Sequence, residues 1–176
     1  MYYRAEVRRI SGSVDLYGAK VWGHHRADSS LPPHGLENSR GRHFGPAWQW
    51  NHNLDTTQFS LHNPGLTLHT ATVTEDLYAA RNTLTRRLHG ANPYGVVEIG
   101  SSNLADGDHA GLAALKDASP WIGIVRNGTE DRVVVTHGLA IGMYGGTTST
   151  RTTVATTPII RIKVWLKVSL DAAAVD

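Results

Sequence analysis

The chain contains no cysteine, which excludes disulfides and thiolate metal sites. Long hydrophobic runs are missing too. No stretch approaches the ~20 apolar residues of a membrane span, so no membrane partner is expected. Charge of one sign is scarce: charged residues make up 18% of the chain and the formal net charge is +2. The basic residues are scattered, apart from Arg8-Arg9 and Arg86-Arg87. A nucleic-acid surface needs a concentrated basic patch, so no nucleic acid is expected either. The opening Met1-Tyr2-Tyr3-Arg4-Ala5-Glu6-Val7 sets charges where a signal peptide has its apolar run. As written, the chain reads as soluble and without an export signal of its own.

What is present suits a β protein. Hydrophobic residues make up 40% of the chain, enough with so little charge to argue against disorder. One domain of this length buries roughly 70% of its unfolded surface. Eighteen glycines and frequent threonines fit short strands joined by turns.

Residues 1–44 lack a clear pattern and read as an N-terminal segment or linker, with the folded module over 45–176. Phe59 and Leu61, then Leu66 and Leu68, alternate with polar residues about the turn Asn63-Pro64-Gly65. Further strands are expected at 83–88 and 94–99. Ala110-Gly111-Leu112-Ala113-Ala114-Leu115 is a small-residue apolar run, read as a strand buried on both faces. Segments 121–125 and 132–136 flank Asn127-Gly128, a hairpin signal. In the last strand, Ile160, Ile162, Val164, Leu166 and Val168 point one way, and Arg161, Lys163, Trp165 and Lys167 the other. Residues 74–81 are the one helix candidate, capped by Thr74, with a loop as the alternative. Many short strands with turns between them predict an all-β, antiparallel sandwich of jelly-roll type.

The run Trp48-Gln49-Trp50-Asn51-His52-Asn53, followed by Phe59-Ser60-Leu61 and Pro64-Gly65-Leu66-Thr67-Leu68, resembles the C-terminal module of glycoside hydrolase family 43 β-xylosidases and arabinofuranosidases. Ala80-Arg81-Asn82-Thr83-Leu84-Thr85-Arg86-Arg87 looks like a second block of that family. Asp106-Gly107-Asp108-His109-Ala110-Gly111-Leu112-Ala113 looks like a third. Leu54 departs from the family's proline, and Leu66-Thr67-Leu68 lacks its tyrosine and arginine. The resemblance implies a concanavalin A-like β-sandwich, also classed as xylan-binding. In complete family members it accompanies a catalytic β-propeller. It also implies a chain cut short after residue 170, since the family module continues with closing strands.

The chemistry can be read beside that resemblance. A sugar ring has apolar C–H faces and hydroxyl edges. Indoles pack on the former, and amide, imidazole and guanidinium groups bond the latter. Trp48, Trp50, Asn51, His52 and Asn53 offer both kinds of group in one short segment, and Arg81, Asn82 and Arg86 are further candidates. The other reading makes the tryptophans core anchors and the arginines solvated. Asp106-Gly107-Asp108 could hold structural calcium, though two aspartates are few, and a plain turn is the alternative. No His-Glu-x-x-His or similar motif accompanies the ten histidines, so no cofactor or catalytic metal is expected. Glycoside cleavage needs two carboxylates about 5–9.5 Å apart. Glu98 falls in an expected strand, and Asp55, Glu75, Asp76, Asp106 and Asp108 fall in loops. Spacing alone pairs none of them, a pair such as Glu98 and Asp108 would serve a stand-alone hydrolase, and no Glu-x-Asp-x-x-Glu strand occurs. The expected function is a non-catalytic accessory module that binds xylan or arabinoxylan oligosaccharides or completes the rim of a family 43 β-propeller. A stand-alone hydrolase and a purely structural sandwich are the alternatives.

Overall fold

The structure is a computed structural model. It describes residues 3–8, 20–22, 48–51, 54–62, 65–71, 73–74, 76–87, 93–115, 119–144, 146–149, 151–160 and 162–170; for 3–8, 20–22 and 62 it describes the backbone only. Among the described residues every regular element is a strand. No helix there is long and apolar enough to cross a membrane.

Two four-stranded antiparallel sheets form the body. The first contains β1 (Tyr3–Arg8), β14 (Lys163–Leu170), β7 (Tyr94–Gly100) and β2 (Lys20–Trp22), in that order. The second contains β13 (Thr152–Ile159), β10 (Glu130–His137), β9 (Trp121–Asn127) and β8 (His109–Ala113). Three two-stranded ribbons complete the description. They are β3 (Trp48–Trp50) with β6 (Leu84–Arg86), β4 (Phe59–His62) with β5 (Gly65–Leu68), and β11 (Ala140–Ile141) with β12 (Thr147–Ser149).

Alternation builds the core. Ile99 of β7 and Val164 and Leu166 of β14 meet Ile122 and Ile124 of β9 and Val133 of β10. Their outward neighbours on each strand face away from that layer. Two facing apolar sheet surfaces make an antiparallel β-sandwich, and the all-β expectation holds. The hairpin at Asn127-Gly128 is also found. Asn127 pairs with Glu130, so Gly128 and Thr129 form its loop. Gly128 has φ 59°, as the first central position of a type II′ turn requires.

Five expectations need correction. Residues 110–115 are not buried on both faces. β8 is an edge strand, with His109 and Gly111 exposed and Ala110 and Leu112 turned to the core. The final strand begins at Lys163, and Ile160 and Ile162 are 101% and 61% exposed. Their alternation runs through the bend between β13 and β14, where no described sheet lies beneath them. The helix candidate over 74–81 gives way to its loop alternative: among the described residues there, 77–79 and 81 are turns, Asp76 N–H donates to Thr74 Oγ1 at 3.0 Å, and Tyr78 N–H donates to the Asp76 carboxylate at 2.9 Å. Side chains that bond nearby amides in this way compete with a helix. Two strands also come from the part of the chain without pattern. β1 pairs along β14 from Tyr3↔Leu170 to Arg8↔Trp165, and β2 pairs with β7. Asn63 and Pro64 lie outside the described residues; His62↔Gly65 pairing gives the expected hairpin, but it puts Gly65 in β5, so the type II turn expected with Pro64 and Gly65 at its centre is not formed.

Candidate carbohydrate-binding ribbon

The β3–β6 ribbon joins two sequence blocks. Trp48 pairs with Arg86, Gln49 with Thr85 and Trp50 with Leu84. Directly opposed residues of an antiparallel pair share a face. Trp48, Trp50, Leu84 and Arg86 therefore lie on one face, and Gln49 and Thr85 on the other. The two indoles are half-buried while Gln49 is exposed. The Arg86 guanidinium sits over the Trp48 ring, 5.5 Å from its centroid, a cation–π distance. Trp50 meets Phe59 of the neighbouring ribbon, with ring centroids 5.0 Å apart and planes inclined by 48°. Asn51 is exposed at the end of β3, and its N–H donates to Thr83 O at 3.0 Å. His52 and Asn53 lie outside the described residues.

The turn that leads into β6 is held from within. Asn82 has φ 57° and is 4% exposed. Asparagine is among the few side chains that visit this region readily. Its Oδ1 accepts the Asp55 N–H at 2.9 Å, and its Nδ2 donates to Asp55 O at 3.0 Å. Both ends of the amide are engaged by the backbone of one residue, so Asn82 clips residues 54–55 to the turn before β6. Arg81 stands on the outside of the clip, 3.9 Å from the Asp55 carboxylate. Hydrogen bonds from the Thr57 hydroxyl and then its N–H hold the Asp55 carboxyl below the usual carboxylate range, with the Arg81 charge helping.

Two side-chain contacts tie the chain between β5 and β6 to the sandwich beside β8 and β9, and a third ties it to the β11–β12 ribbon. Tyr78 donates to the fully buried Ser119 hydroxyl at 3.0 Å, and Thr70 donates to Asp108 at 3.4 Å. Asp76 accepts a bond from Thr147 of β12. None of these partners follows from sequence spacing.

Glu98 is 2% exposed and lies on the side of β7 away from the core residues Val97 and Ile99. Asp108 precedes β8 in the other sheet, where it accepts Ala105 N–H at 2.8 Å. The two carboxylates therefore belong to different sheets, Glu98 within β7 and Asp108 just before β8. Asp106 accepts Gly128 N–H at 2.6 Å, which gives the Asp106-Gly107-Asp108 turn a structural use. Among the described residues no group of three or more His, Asp or Glu side chains could hold a metal ion. The sequence reading missed an ion pair between Arg126 and Asp131. Arg126 also donates to Leu104 O at 2.9 Å and Ser101 O at 3.0 Å. Its only signal was a pair of opposite charges flanking the hairpin turn.

A family model described as the β-xylosidase C-terminal concanavalin A-like domain matches residues 40–176. A solved structure from work on "engineering the active site of a GH43 glycoside hydrolase" is similar, with a TM-score of 0.76 and 38% identity. That engineered enzyme is described as displaying "both endo-xylanase and exo-arabinofuranosidase activity". The match covers 84% of this chain but 29% of the other, so this chain corresponds to less than a third of that protein. No curated protein matches.

Proposed function

Because the chain belongs to the family of β-xylosidase C-terminal concanavalin A-like domains, we propose that it is a non-catalytic accessory module of a xylan-degrading glycoside hydrolase. It binds xylan or arabinoxylan oligosaccharides, or completes the rim of a family 43 catalytic β-propeller. The observation that carries this reading is the β3–β6 face, where two half-buried indoles share a surface with Arg86. Trp48 and Trp50 would stack on the C–H face of a pentose. Asn51, Arg81 and Arg86 would bond its hydroxyls, with His52 and Asn53 following Asn51 in sequence. Asn82 takes a positioning role, because its amide holds the turn that presents Arg81 and β6. No cofactor or metal is needed for this chemistry.

Affinity electrophoresis in gels containing soluble xylan tests the reading. The native chain should be retarded, and Trp48→Ala and Arg86→Gln should each relieve the retardation. Absence of retardation in the native chain, together with no effect of Trp50→Ala, would favour a purely structural sandwich. A reducing-sugar assay on xylo-oligosaccharides addresses the stand-alone hydrolase. Turnover that Glu98→Gln abolishes would overturn the accessory role.

A further inference from the structure

Trp121 is an indole that the ribbon does not use. It alternates along β9 with the core residues Ile122 and Ile124, so it lies on the outer face of the second sheet. On that face Gly111 and Gly123 stand directly opposite each other across β8 and β9. A Cβ on Gly111 would be 2.5 Å from Trp121 Nε1, and one on Gly123 would be 2.1 Å from Trp121 Cζ2. No side chain fits at such distances. The two glycines make a seat that receives one edge of the indole and fixes its direction along the sheet. The seat leads the ring towards His109, the exposed residue at the start of β8 on the same face. The two ring centroids are 6.0 Å apart, and their planes are inclined by 38°. One strand beyond, Arg132 stands in the same cross-strand row as His109 and Val125. Its Nε donates to Thr156 at 3.1 Å and its Nη1 to Glu130 at 2.7 Å. Its Nη2 makes no hydrogen bond to a described residue.

This arrangement adds nothing to the core, which lies on the other side of the sheet. Two adjoining rings give an apolar shelf of limited size, too small to organise a protein interface. The guanidinium and the Thr156 hydroxyl border it with hydrogen-bonding groups. Glu130 neutralises the arginine, so a polyanion is not favoured. The ligand class that matches is a neutral pyranose oligosaccharide, whose C–H faces stack on aromatic rings while its hydroxyls meet donors at the edge. We infer that Trp121 and His109, bordered by Arg132, form a second carbohydrate-stacking surface on the outer face of β8, β9 and β10. The inference rests on the accessory reading for its ligand, but on different residues and a different face.

The test titrates the full chain with xylohexaose, following intrinsic tryptophan fluorescence and affinity electrophoresis in soluble arabinoxylan. Four variants are compared: Trp121→Ala, His109→Ala, Arg132→Gln and the ribbon double change Trp48→Ala/Trp50→Ala. The native chain should bind, and Trp121→Ala should weaken binding about tenfold, the equivalent of one lost ring contact. His109→Ala sits at an exposed position and keeps the fold, so its several-fold loss is the check if Trp121→Ala misfolds. The ribbon variant should retain part of the binding. Binding abolished by the ribbon change and unmoved by His109→Ala and Arg132→Gln would overturn the shelf and leave the ribbon reading intact. Binding lost only in the shelf variants would support the shelf and remove sugar contact from the ribbon. A native chain that binds neither xylohexaose nor arabinoxylan would overturn both.

Discussion

Replacing Asn82 separates two physical causes that coincide at one residue. The side chain closes two hydrogen bonds to Asp55, at 2.9 and 3.0 Å, and the backbone sits at φ 57°. Each bond contributes about 1 kcal/mol net. A side chain without local hydrogen bonding costs roughly 1–2 kcal/mol in the left-handed region. Asn82→Ala suffers both losses, so it should destabilise by about 3 kcal/mol. Asn82→Gly accepts the positive φ freely but still loses both bonds. It should therefore lose about 2 kcal/mol, plus roughly 0.5–1 kcal/mol for added freedom in the unfolded chain. Urea denaturation measures the global effect. Amide exchange at Asp55 and Asn51 measures the local one, because Asn51 N–H bonds Thr83 O one residue after the clip. A Gly variant as stable as the native protein, with Asp55 N–H still protected, would refute the account. The backbone angle alone would then explain asparagine, and the amide would be available for another use.

Other outcomes follow from the same physics. Leu166 is fully buried in β14, so Leu166→Ala should cost about 2–5 kcal/mol in a denaturation experiment. Gly123→Ala would place a Cβ 2.1 Å from Trp121 Cζ2 and 2.5 Å from Ala110 O; it should cost about 1–3 kcal/mol and shift tryptophan emission, and an unchanged spectrum would refute the glycine seat. The Arg126 guanidinium holds the Asp131 carboxyl below its ordinary value of 3.8. The unfolded chain therefore takes up the proton first, and the pair's stabilisation is present above about pH 4 and lost as pH falls through the depressed value. Asp131→Asn should lower stability at neutral pH and flatten its decline in acid, as read by thermal unfolding between pH 2 and 6.

The sequence conveyed strand content well where one face is apolar and the other polar. β4, β5 and the later part of β14 all follow that rule, because side-chain direction alternates with every residue. The same rule misled at Ile160 and Ile162. Alternation reports which side chains share a face, but not whether another sheet covers it. In 110–115 the glycine was counted as apolar filling, whereas Gly111 is the outward residue that makes room for Trp121. β1 and β2 went unseen because their partners β14 and β7 lie far along the chain, and short mixed segments gain their pairing from tertiary contacts. At the candidate site, the sequence supplied the residue types and the resemblance grouped them. It could not supply the register that sets Arg86 over Trp48, or show that Asn82 turns inward to Asp55.

The three tethers explain why a polar excursion holds a fixed place beside the sandwich. Asp108 precedes β8, and Ser119 precedes β9. Because β8 and β9 run antiparallel, these two anchors lie near opposite ends of the pair. Thr70 reaches the first and Tyr78 the second, so the chain between them spans roughly the length of β8, about 17 Å for five residues. Among the described residues β8 is an edge strand, and a segment fixed at both ends of such a strand is one way to blunt an edge. The opposite edge, β13, is exposed along nearly its whole length. The segment anchored at Asp108 and Ser119 also connects β5 to β6, and so leads into the strand on which Arg86 faces Trp48. The placement of the candidate sugar-binding face beside the sandwich therefore rests on a few polar contacts. Breaking those contacts would disturb that placement, while the apolar layer between the sheets would remain.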